Sequence, residues 1–208
     1  MQIKPNHKKG DRSDRGNYRP ISLLPIISKS YERLLYTQIE DYFNEVLSPL
    51  QCGFRKFHST QHCLLVLLEK WKIALDSKSK AGIILTDLSK AFDCIRHDMF
   101  IGKCHAHGTD KNTLWYIYNY LSNRKQRVRI NNSFSEWKDI KYGVPQRSIL
   151  GPLFFNIFMC DLFYTLEYNV VNYADDNTPY AMENSTEEVI RQLENAQIHL
   201  LSGFLKMF

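Results

Sequence analysis

The segment VVNYADDNTPY, from Val170 to Tyr180, places two adjacent carboxylates, Asp175 and Asp176, in an otherwise apolar and aromatic stretch. Successive residues of a β-strand point to opposite faces unless a tight turn reorients them. The segment is therefore predicted to form a strand, a turn over Tyr173 to Asn177, and a second strand. In one interpretation the two aspartates only satisfy the turn. In the other, one carboxylate faces a metal ion, and its neighbour supports it or contacts a second ion.

A third aspartate stands at the end of another predicted strand. The apolar run AGIILTD ends in Asp87, as a buried strand should end when it delivers a polar group to a site. Magnesium prefers oxygen ligands, and such a site needs two or three carboxylates from different segments. Two ions roughly 3.5–4 Å apart could activate an attacking hydroxyl and stabilise a leaving pyrophosphate. We therefore predict a magnesium site formed by Asp87, Asp175 and Asp176.

The positive charge of the chain is concentrated in two segments. The 208 residues carry 27 Lys and Arg against 22 Asp and Glu, a net charge of +5 that weakly favours a polyanionic partner. Residues 1–20 are basic and rich in turn formers, and we expect a loop or arm there. In the second segment, a predicted β-hairpin places three cations on one strand face, which is either a solvated face or a stripe that follows phosphates. These cations are Lys125, Arg127 and Arg129.

Helical spacing of apolar residues predicts the longer helices. One runs from Ile26 to about Val46, and a second begins at Ser59 or Thr60. The apolar face expected for the second helix consists of Leu64, Leu68, Trp71 and Leu75. The last helix follows a capping box at Ser185, and its apolar stripe consists of Val189, Leu193, Ala196, Leu200 and Phe204.

Secretion and membrane insertion are not indicated by the sequence. The N-terminal segment is charged from its start, and the most apolar run, SILGPLFFNIF, is too short to cross a bilayer. The five cysteines are odd in number and contain no C-x-x-C pair, which is typical of a reducing compartment. We expect an intracellular protein, nuclear or cytoplasmic, that has no membrane partner.

Five motifs occur in a fixed order along the chain: NYRPISLLPIISKSYERLLYTQI, QCGFRKFHST, DLSKAFD, GVPQRSILGPLFF and NYADD. This series, from about Lys8 to about Phe204, resembles the fingers and palm of a non-LTR (LINE-type) retrotransposon reverse transcriptase. The resemblance implies an α/β palm with helical fingers, of the right-hand polymerase type. It also implies RNA-directed DNA polymerisation with an RNA template, a DNA primer, deoxynucleoside triphosphates and two Mg²⁺ ions, with Mn²⁺ as the alternative ion.

The same resemblance assigns roles to individual residues. The three aspartates match the metal-binding set, and the carbonyl of Leu88 is a further candidate ligand. Arg55 matches a fingers arginine that contacts the triphosphate, where a guanidinium fork is suited to phosphate. Phe92 matches an aromatic ring under the incoming sugar, where it would clash with a ribose 2′-hydroxyl. Gln146 matches a residue near the sugar and the template base.

Nucleic-acid contacts and domain boundaries follow in the same way. The candidate contacts to template or phosphates are Arg19, Lys56, Lys125, Arg127 and Arg129. We expect a basic arm over residues 1–20, a fingers-like helical region over 21–80 and a palm over 81–208. The family continues into a further palm motif and a thumb, so the chain is expected to be a truncated reverse transcriptase domain of about residues 8–208, with the thumb absent.

Two positions depart from the family pattern. Arg147 replaces the last glycine of G-V-P-Q-G, and Phe57 stands where many members have glycine. A long side chain at a glycine position can block the site or distort the loop, and we expect impaired activity. One alternative is therefore a decayed retroelement copy that is inactive and at most binds nucleic acid. Another is a metal-dependent nuclease, against which the spacing of Asp87 and Phe92 argues, because a nuclease has no evident use for a sugar-sensing ring.

Overall fold

A computed structural model describes residues 1–88 and 91–207 of the chain. Ser89 and Lys90 of the DLSKAFD motif, and Phe208 at the end of the predicted palm, lie outside the described residues. The predicted mixed α/β class is confirmed by the helices and strands that the structure contains. In chain order these are β1 (Gln2–His7), β2 (Tyr18–Leu23), α1 (Ile26–Phe43), α2 (Thr60–Asp76), β3 (Lys80–Ile83), β4 (Thr86–Asp87), α3 (His97–Ala106), α4 (Lys111–Leu121), β5 (Lys125–Ile130), β6 (Ser133–Phe134), β7 (Lys138–Asp139), α5 (Leu150–Thr165), β8 (Val170–Tyr173), β9 (Asp176–Glu183) and α6 (Thr186–Met207).

The chain divides into two compact units. The first unit consists of Met1–Phe43 and Phe92–Phe155, and the second consists of Asn44–Ala91 and Asn156–Phe208. This division reflects which residues pack together. The boundaries predicted at residues 20 and 80 separate regions of a polymerase instead, and they stay a prediction. Among the described helices, none is long and apolar enough to cross a membrane.

The first unit contains a sheet that begins with the first residues of the chain. Strands β1 and β2 form an antiparallel pair, and β1 runs parallel to β5, with Gln2 opposite Arg127 and Ile3 opposite Val128. The prediction of a loop or arm over residues 1–20 is therefore wrong. The turn-forming residues lie in the connection between the two strands, which the bond from the Lys8 amide to the Asn17 carbonyl closes.

A buried carboxylate stabilises the helical part of the first unit. Glu32 of α1 is 1% exposed. Its two oxygens accept hydrogen bonds from the Tyr120 hydroxyl, at 2.9 Å, and from the Ile149 amide, at 2.6 Å. Because a buried charge needs such partners, the three groups fix the start of α5 relative to α1 and α4. The neighbouring core of this unit contains Ile39, Phe43, Ile95, Phe100, Ile117, Leu121, Leu150 and Phe154.

The second unit is organised around strand β9. Strand β8 pairs with one edge of β9. Strands β3 and β4 pair with the other edge of β9, in a single continuous antiparallel register. Between β3 and β4 the Ile84 amide donates to the Pro179 carbonyl at 3.0 Å. Proline has no amide hydrogen to return a bond, so the ladder is interrupted there and one strand becomes two short ones.

Helices α2 and α6 cover this sheet. The apolar stripe predicted for α6 is confirmed, because all five of its residues are buried, and the Ser185 hydroxyl accepts from the Glu188 amide as a cap should. The face predicted for α2 is confirmed only at Trp71, which is partly buried against the core of this unit, and is wrong at the three leucines. Leu64, Leu68 and Leu75 are exposed, while the residues that pack inward are Cys63, Leu67 and Ala74.

Candidate active site

The hairpin predicted around the paired aspartates is confirmed. Tyr173 of β8 pairs with Asp176 of β9, so Ala174 and Asp175 form a two-residue turn. Ala174 has a φ of 59°, in the left-handed region that residues other than glycine rarely adopt. A conformation of this kind persists only where surrounding contacts impose it. The turn presents Asp175 at its tip and Asp176 as the first residue of the outgoing strand.

The third aspartate meets this hairpin across the sheet. Asp87 lies directly opposite Asp176 in the ladder between β4 and β9. Partial burial raises the pKa of the Asp176 carboxyl, and the negative charges of Asp175 and Asp87 raise it further. The three carboxylates that the sequence places in two distant segments therefore form one acidic cluster in the second unit.

The acidic cluster has the donor chemistry of a site for a hard divalent cation. Its donors are carboxylate oxygens, which Mg²⁺ and Mn²⁺ accept. The pKa of Asp176 is raised by partial burial first and then by the nearby charges of Asp175 and Asp87. Across residues 1–88 and 91–207, no three acidic, histidine or cysteine side chains converge closely enough to hold an ion in their present positions. The charge and donor type thus fit the cation, whereas the side-chain positions do not define a coordination sphere.

Buried amides hold the turn that carries the aspartates. The Asn172 side-chain amide donates to the carbonyl of Ala174 at 2.8 Å and to Oδ1 of Asn177 at 3.0 Å. Asn177 in turn donates to the Asp175 carbonyl at 3.2 Å. Both asparagines are almost fully buried, at 2% and 0% exposure. Their contacts stabilise the left-handed turn from inside the sheet.

A second pair of amides joins α5 to the segment before α2, on which the turn rests. Gln51 donates to the Asn156 carbonyl, and Asn156 donates to the Gly53 carbonyl, each at 2.8 Å. Gly53 packs directly on the turn, so a β-carbon there would lie 2.2 Å from the Ala174 nitrogen. Sequence reasoning missed all of these amides. The available signal was a polar residue, Asn172, inside an apolar strand.

Arg55 is engaged by the loop that precedes it. Its guanidinium donates to the carbonyls of Ser48, Gln51 and Asn44 and to the side chain of Asn44, at 2.9 to 3.3 Å. These contacts give Arg55 a structural role in the second unit. The predicted contact with a triphosphate stays a prediction, and it requires the guanidinium to release some of these acceptors. Lys56, the next residue after Arg55, is exposed. Leu88, the other predicted metal ligand, follows Asp87 and is the last described residue before Ser89 and Lys90.

In the first unit, Phe92 is held against the core. Its ring stacks on that of the buried Phe155, with centroids 4.6 Å apart and planes inclined by 27°. The Val144 amide donates to the Phe92 carbonyl at 2.9 Å, which ties the AFD segment to the GVPQ segment. These contacts hold the ring against the core of the first unit, and its predicted place under the incoming sugar stays a prediction.

Gln146 is held by the residue that follows Phe92. Its amide nitrogen lies 3.1 Å from both carboxylate oxygens of Asp93. Gly143 lies against the backbone of Asp93, since a β-carbon on that glycine would lie 2.7 Å from the Asp93 Cα. The structure therefore brings Phe92 and Gln146 together within the first unit, with Asp93 as the link between them.

The two departures from the family pattern lie at unusual backbone positions. Arg147 has a φ of 66° and Phe57 a φ of 62°, both in the left-handed region where glycine is favoured. Both side chains are exposed, and that of Phe57 is 94% exposed. The backbone thus keeps the conformation that glycine permits, and the larger residues carry the strain.

Several basic candidates share one face of the sheet in the first unit. Alternation puts Lys125, Arg127 and Arg129 on the same side of β5, as predicted. Gln2 of β1 lies opposite Arg127, so Lys4, two residues further along β1, is on the same face as Arg127. The register of the β1–β2 pair puts Arg19 of β2 on this face as well. We call these five residues the basic sheet face.

Comparison with protein families shows the family to which the chain belongs. Residues 6–206 match the model of the reverse transcriptase (RNA-dependent DNA polymerase) family, and the chain belongs to that family. The family membership predicted from the five motifs is therefore confirmed.

The similar proteins include mobile-element polymerases of insects. The chain is 34% identical over 194 residues, 86% of its length, to a probable RNA-directed DNA polymerase from transposon BS of Drosophila melanogaster. It is 31% identical over 173 residues, 78% of its length, to the RNA-directed DNA polymerase from mobile element jockey of Drosophila funebris. It spans only about a fifth of the length of these relatives, 21% and 19% respectively. The LINE-type character inferred from the motifs is confirmed by these relatives.

Solved structures show the same fold at low sequence identity. The telomerase of Candida albicans, determined with a fragment of telomeric RNA, superposes with a TM-score of 0.63 at 12% identity, covering 97% of this chain and 39% of that one. The apo telomerase of Candida tropicalis, truncated from its C-terminal domain, gives a TM-score of 0.58 at 11% identity, covering 94% of this chain and 46% of that one. The predicted palm-and-fingers fold is thus confirmed.

Proposed function

We propose that this chain catalyses RNA-directed DNA synthesis, in which a primer 3′-hydroxyl attacks the α-phosphate of a deoxynucleoside triphosphate. The observation that carries the proposal is the position of Asp87 directly opposite Asp176, which follows Asp175 in the chain. The pKa of Asp176 is raised by burial and by the charges of both other aspartates. A carboxyl group with a perturbed pKa, next to acidic residues from a distant segment, is typical of a catalytic site.

The proposed partners are an RNA template, a DNA primer and deoxynucleoside triphosphates. Support comes from the names of the relatives, which are RNA-directed DNA polymerases of mobile elements. The telomerase of Candida albicans, which shares the fold, was determined with RNA bound to it. The basic sheet face and Lys56 are the surfaces proposed to contact the nucleic-acid backbone.

Two Mg²⁺ ions, or Mn²⁺ in their place, are the proposed cofactors. The ligands would be the carboxylates of Asp87, Asp175 and Asp176, with the carbonyl of Leu88 as a further oxygen. Bound Mg²⁺ supplies charge neutralisation at phosphate oxygens and a lower pKa at an attacking hydroxyl. The contribution of the protein is to hold three negative charges together at a turn that Asn172 and Asn177 keep in place.

The proposed role of the first unit is recognition of the sugar and base of the nucleotide. Phe92, fixed by stacking on Phe155, would exclude a ribose 2′-hydroxyl. Gln146, held by Asp93, would present its remaining polar atoms to the sugar or the template base. Arg55 is kept in the proposal as a triphosphate contact that first leaves its loop carbonyls.

Primer extension on an RNA template tests the proposed activity. The wild-type chain, Asp175→Asn and Arg147→Gly are assayed with Mg²⁺, with Mn²⁺ and with chelator, and binding of primer–template is measured in parallel. Incorporation that requires the cation and disappears in Asp175→Asn, while binding persists, supports the proposal. Incorporation by Asp175→Asn equal to that of the wild type would contradict it.

An inactive retroelement copy that binds nucleic acid is the second candidate. The observation in its favour is the strained backbone at Arg147 and Phe57, where the family pattern has glycine. If wild type and Arg147→Gly bind primer–template equally and neither incorporates nucleotide, this second candidate replaces the first.

A further inference from the structure

The excess of basic over acidic residues is confined to the segments that form the sheet of the first unit. Residues 1–23 and 124–141 together contain twelve Lys and Arg against four Asp and Glu, whereas the remainder of the chain contains fifteen against eighteen. The sequence shows two separate basic segments, but pairing of β1 with β5 joins them in one sheet. The excess of cations therefore lies on a single element of the structure.

The hairpin β5–β6–β7 carries an irregularity at the edge of this sheet. Arg129 is opposite Phe134, whereas Gln126 is opposite Lys138, so the returning strand has one more residue than β5 between these pairs. The Ser135 side chain bonds the Val128 amide at 2.9 Å and occupies the bulge. In a regular strand Phe134 and Trp137 would point to opposite faces, and the additional residue brings them to the same one.

An arginine joins the two aromatic rings. The Arg127 guanidinium carbon lies 4.1 Å from the ring centroid of Phe134 and 4.7 Å from that of Trp137. Its Nε is buried without a hydrogen-bond partner among the described residues, so the ring faces take the place of a polar acceptor. The rings themselves remain 46% and 49% exposed. We call Phe134, Arg127 and Trp137 the aromatic cluster.

Charges flank the aromatic cluster on the same face. Arg129 lies opposite Phe134, and Lys125 lies two residues before Arg127 and 3.7 Å from Asp139. That ion pair is exposed at both ends, so it is weak and leaves Lys125 able to contact another anion. Half-open aromatic rings between cations are suited to a chain in which flat bases alternate with phosphates.

We propose that the aromatic cluster is a stacking site for unpaired bases of a single-stranded polynucleotide, whose phosphates contact Lys125 and Arg129. Stacking of a base on an aromatic side chain strengthens binding by roughly five- to hundredfold and is tolerant of sequence. Paired bases are stacked within a duplex and cannot use the rings in this way. The inference rests on the proposed function only in taking a polynucleotide as the partner; it does not require that the chain be catalytically active.

Tryptophan fluorescence tests the stacking directly. Trp71→Phe together with Trp115→Phe leaves Trp137 as the one tryptophan of the chain. This protein is titrated with oligo(U), with oligo(dT) and with a duplex of matched length. The expected result is strong quenching by both single strands and weak quenching by the duplex. Absence of quenching by oligo(U) and oligo(dT), at concentrations where labelled strands bind, overturns the proposal.

Binding of labelled single strands to variants separates stacking from charge. Trp137→Ala and Phe134→Ala should each weaken binding about tenfold, since 1.4 kcal/mol is a factor of ten, and Trp137→Phe should restore most of it. Arg127→Lys keeps the charge but loses the planar contact with the rings, and should also weaken binding. Lys125→Gln and Arg129→Gln should instead reduce the salt dependence of binding.

The matched control is Trp115→Ala, which removes a tryptophan of α4 that is 61% exposed, more than Trp137. Its affinity should equal that of the wild type, and circular dichroism should show all variants folded. If Trp137→Ala and Trp115→Ala bind alike, the cluster only packs Arg127 and the proposal fails. Absence of primer extension together with quenching of Trp137 would reject the proposed polymerase function and leave the stacking site in place. Primer extension without quenching of Trp137 would support the polymerase function and reject the stacking site.

Discussion

Gly53 lies against the backbone of Ala174, so closely that a β-carbon on the glycine would be 2.2 Å from the Ala174 nitrogen and 2.7 Å from its Cα. The segment before α2 thus supports the turn of the carboxylate hairpin from behind. Because the obstructing atoms belong to the backbone, they cannot move aside as a side chain could.

Gly53→Ala should therefore destabilise the second unit and displace the turn. We expect a loss of about 1–3 kcal/mol in the free energy of unfolding, measured by urea denaturation. The control is Gly102→Ala in α3, where nothing lies within 4 Å of the added carbon. That change should stabilise the protein by about 0.5–1 kcal/mol, because alanine favours helix. Equal stability of Gly53→Ala and wild type would contradict the close contact.

Asp176→Asn should stabilise the protein at neutral pH when divalent cations are absent. The pKa of Asp176 is raised in the folded state by burial and by its acidic neighbours. The folded state therefore binds the proton more tightly than the unfolded state, and stability falls as pH rises through the folded pKa. The advantage of the variant should vanish below the ordinary aspartate pKa. Urea unfolding across this range in chelator measures the difference.

Asp98→Asn provides a control of opposite sign for this pH dependence. The Arg96 guanidinium lies 2.6 Å from the Asp98 carboxylate and lowers its pKa. A carboxyl group whose pKa is lowered in the folded state stabilises the protein above the pKa of the unfolded state, and this stabilisation is lost as pH falls. Asp98→Asn should therefore be less stable than wild type at neutral pH. If both variants shift stability in the same direction, charge repulsion at Asp176 is not the cause.

Addition of Mg²⁺ should reverse the lower stability of the wild type relative to Asp176→Asn. A cation that binds the folded state alone raises the unfolding temperature of the wild type by mass action. Asp176→Asn and Asp175→Asn remove one donor each and should gain less from the same concentration of Mg²⁺ in a thermal scan. Equal gains by wild type and both variants would place the cation elsewhere.

Arg147→Gly and Phe57→Gly should each stabilise the chain by up to about 1 kcal/mol, because glycine adopts a positive φ without steric cost. The matched control is Asn131→Gly, at a φ of 54°, where asparagine already tolerates the left-handed region. Its effect should be smaller than those of the other two. Destabilisation by Arg147→Gly would show that the arginine side chain makes contacts that outweigh its backbone strain.

Asn172→Ala should cost about 1–3 kcal/mol in the free energy of unfolding, since the Ala174 carbonyl and Asn177 lose their donor inside the sheet. The control is Asn119→Ala, an exposed amide on α4 that bonds only within its helix. That change should stay within about 0.5 kcal/mol of wild type. Similar stability of the two variants would contradict a structural role for the amides around the turn.

Sequence patterns identified the features that depend on neighbours along the chain. The stripe of α6 repeats every three or four residues on one side, and burial of Leu193 and Leu200 follows from it. The hairpin at Asp175 and Asp176 follows from alternation on both sides of a short polar turn. The order of the five motifs identified the family, because a fixed series of five motifs is far more specific than any one of them.

Features that depend on distant partners were not predictable in this way. Helix α2 has apolar residues on two faces, and periodicity does not say which is covered; Leu67 is buried and Leu68 is exposed. Pairing of β1 with β5 joins segments more than a hundred residues apart, so residues 1–20 appeared to lack a partner. The bulge that turns Trp137 towards Arg127 is a difference in register, and a single strand carries no sign of it.

Pro179 has a further consequence for Asp87. The ladder on either side of this proline separates into two parts, and Asp87 belongs to the shorter one, which contains only two residue pairs. Thr86 and Asp87 can therefore detach from β9 while β3 stays paired, at a free energy well below that of global unfolding. The spacing between Asp87 and Asp176 is set by a short, independently opening segment, so it can adjust to an arriving ligand without disturbing the core beneath α2 and α6.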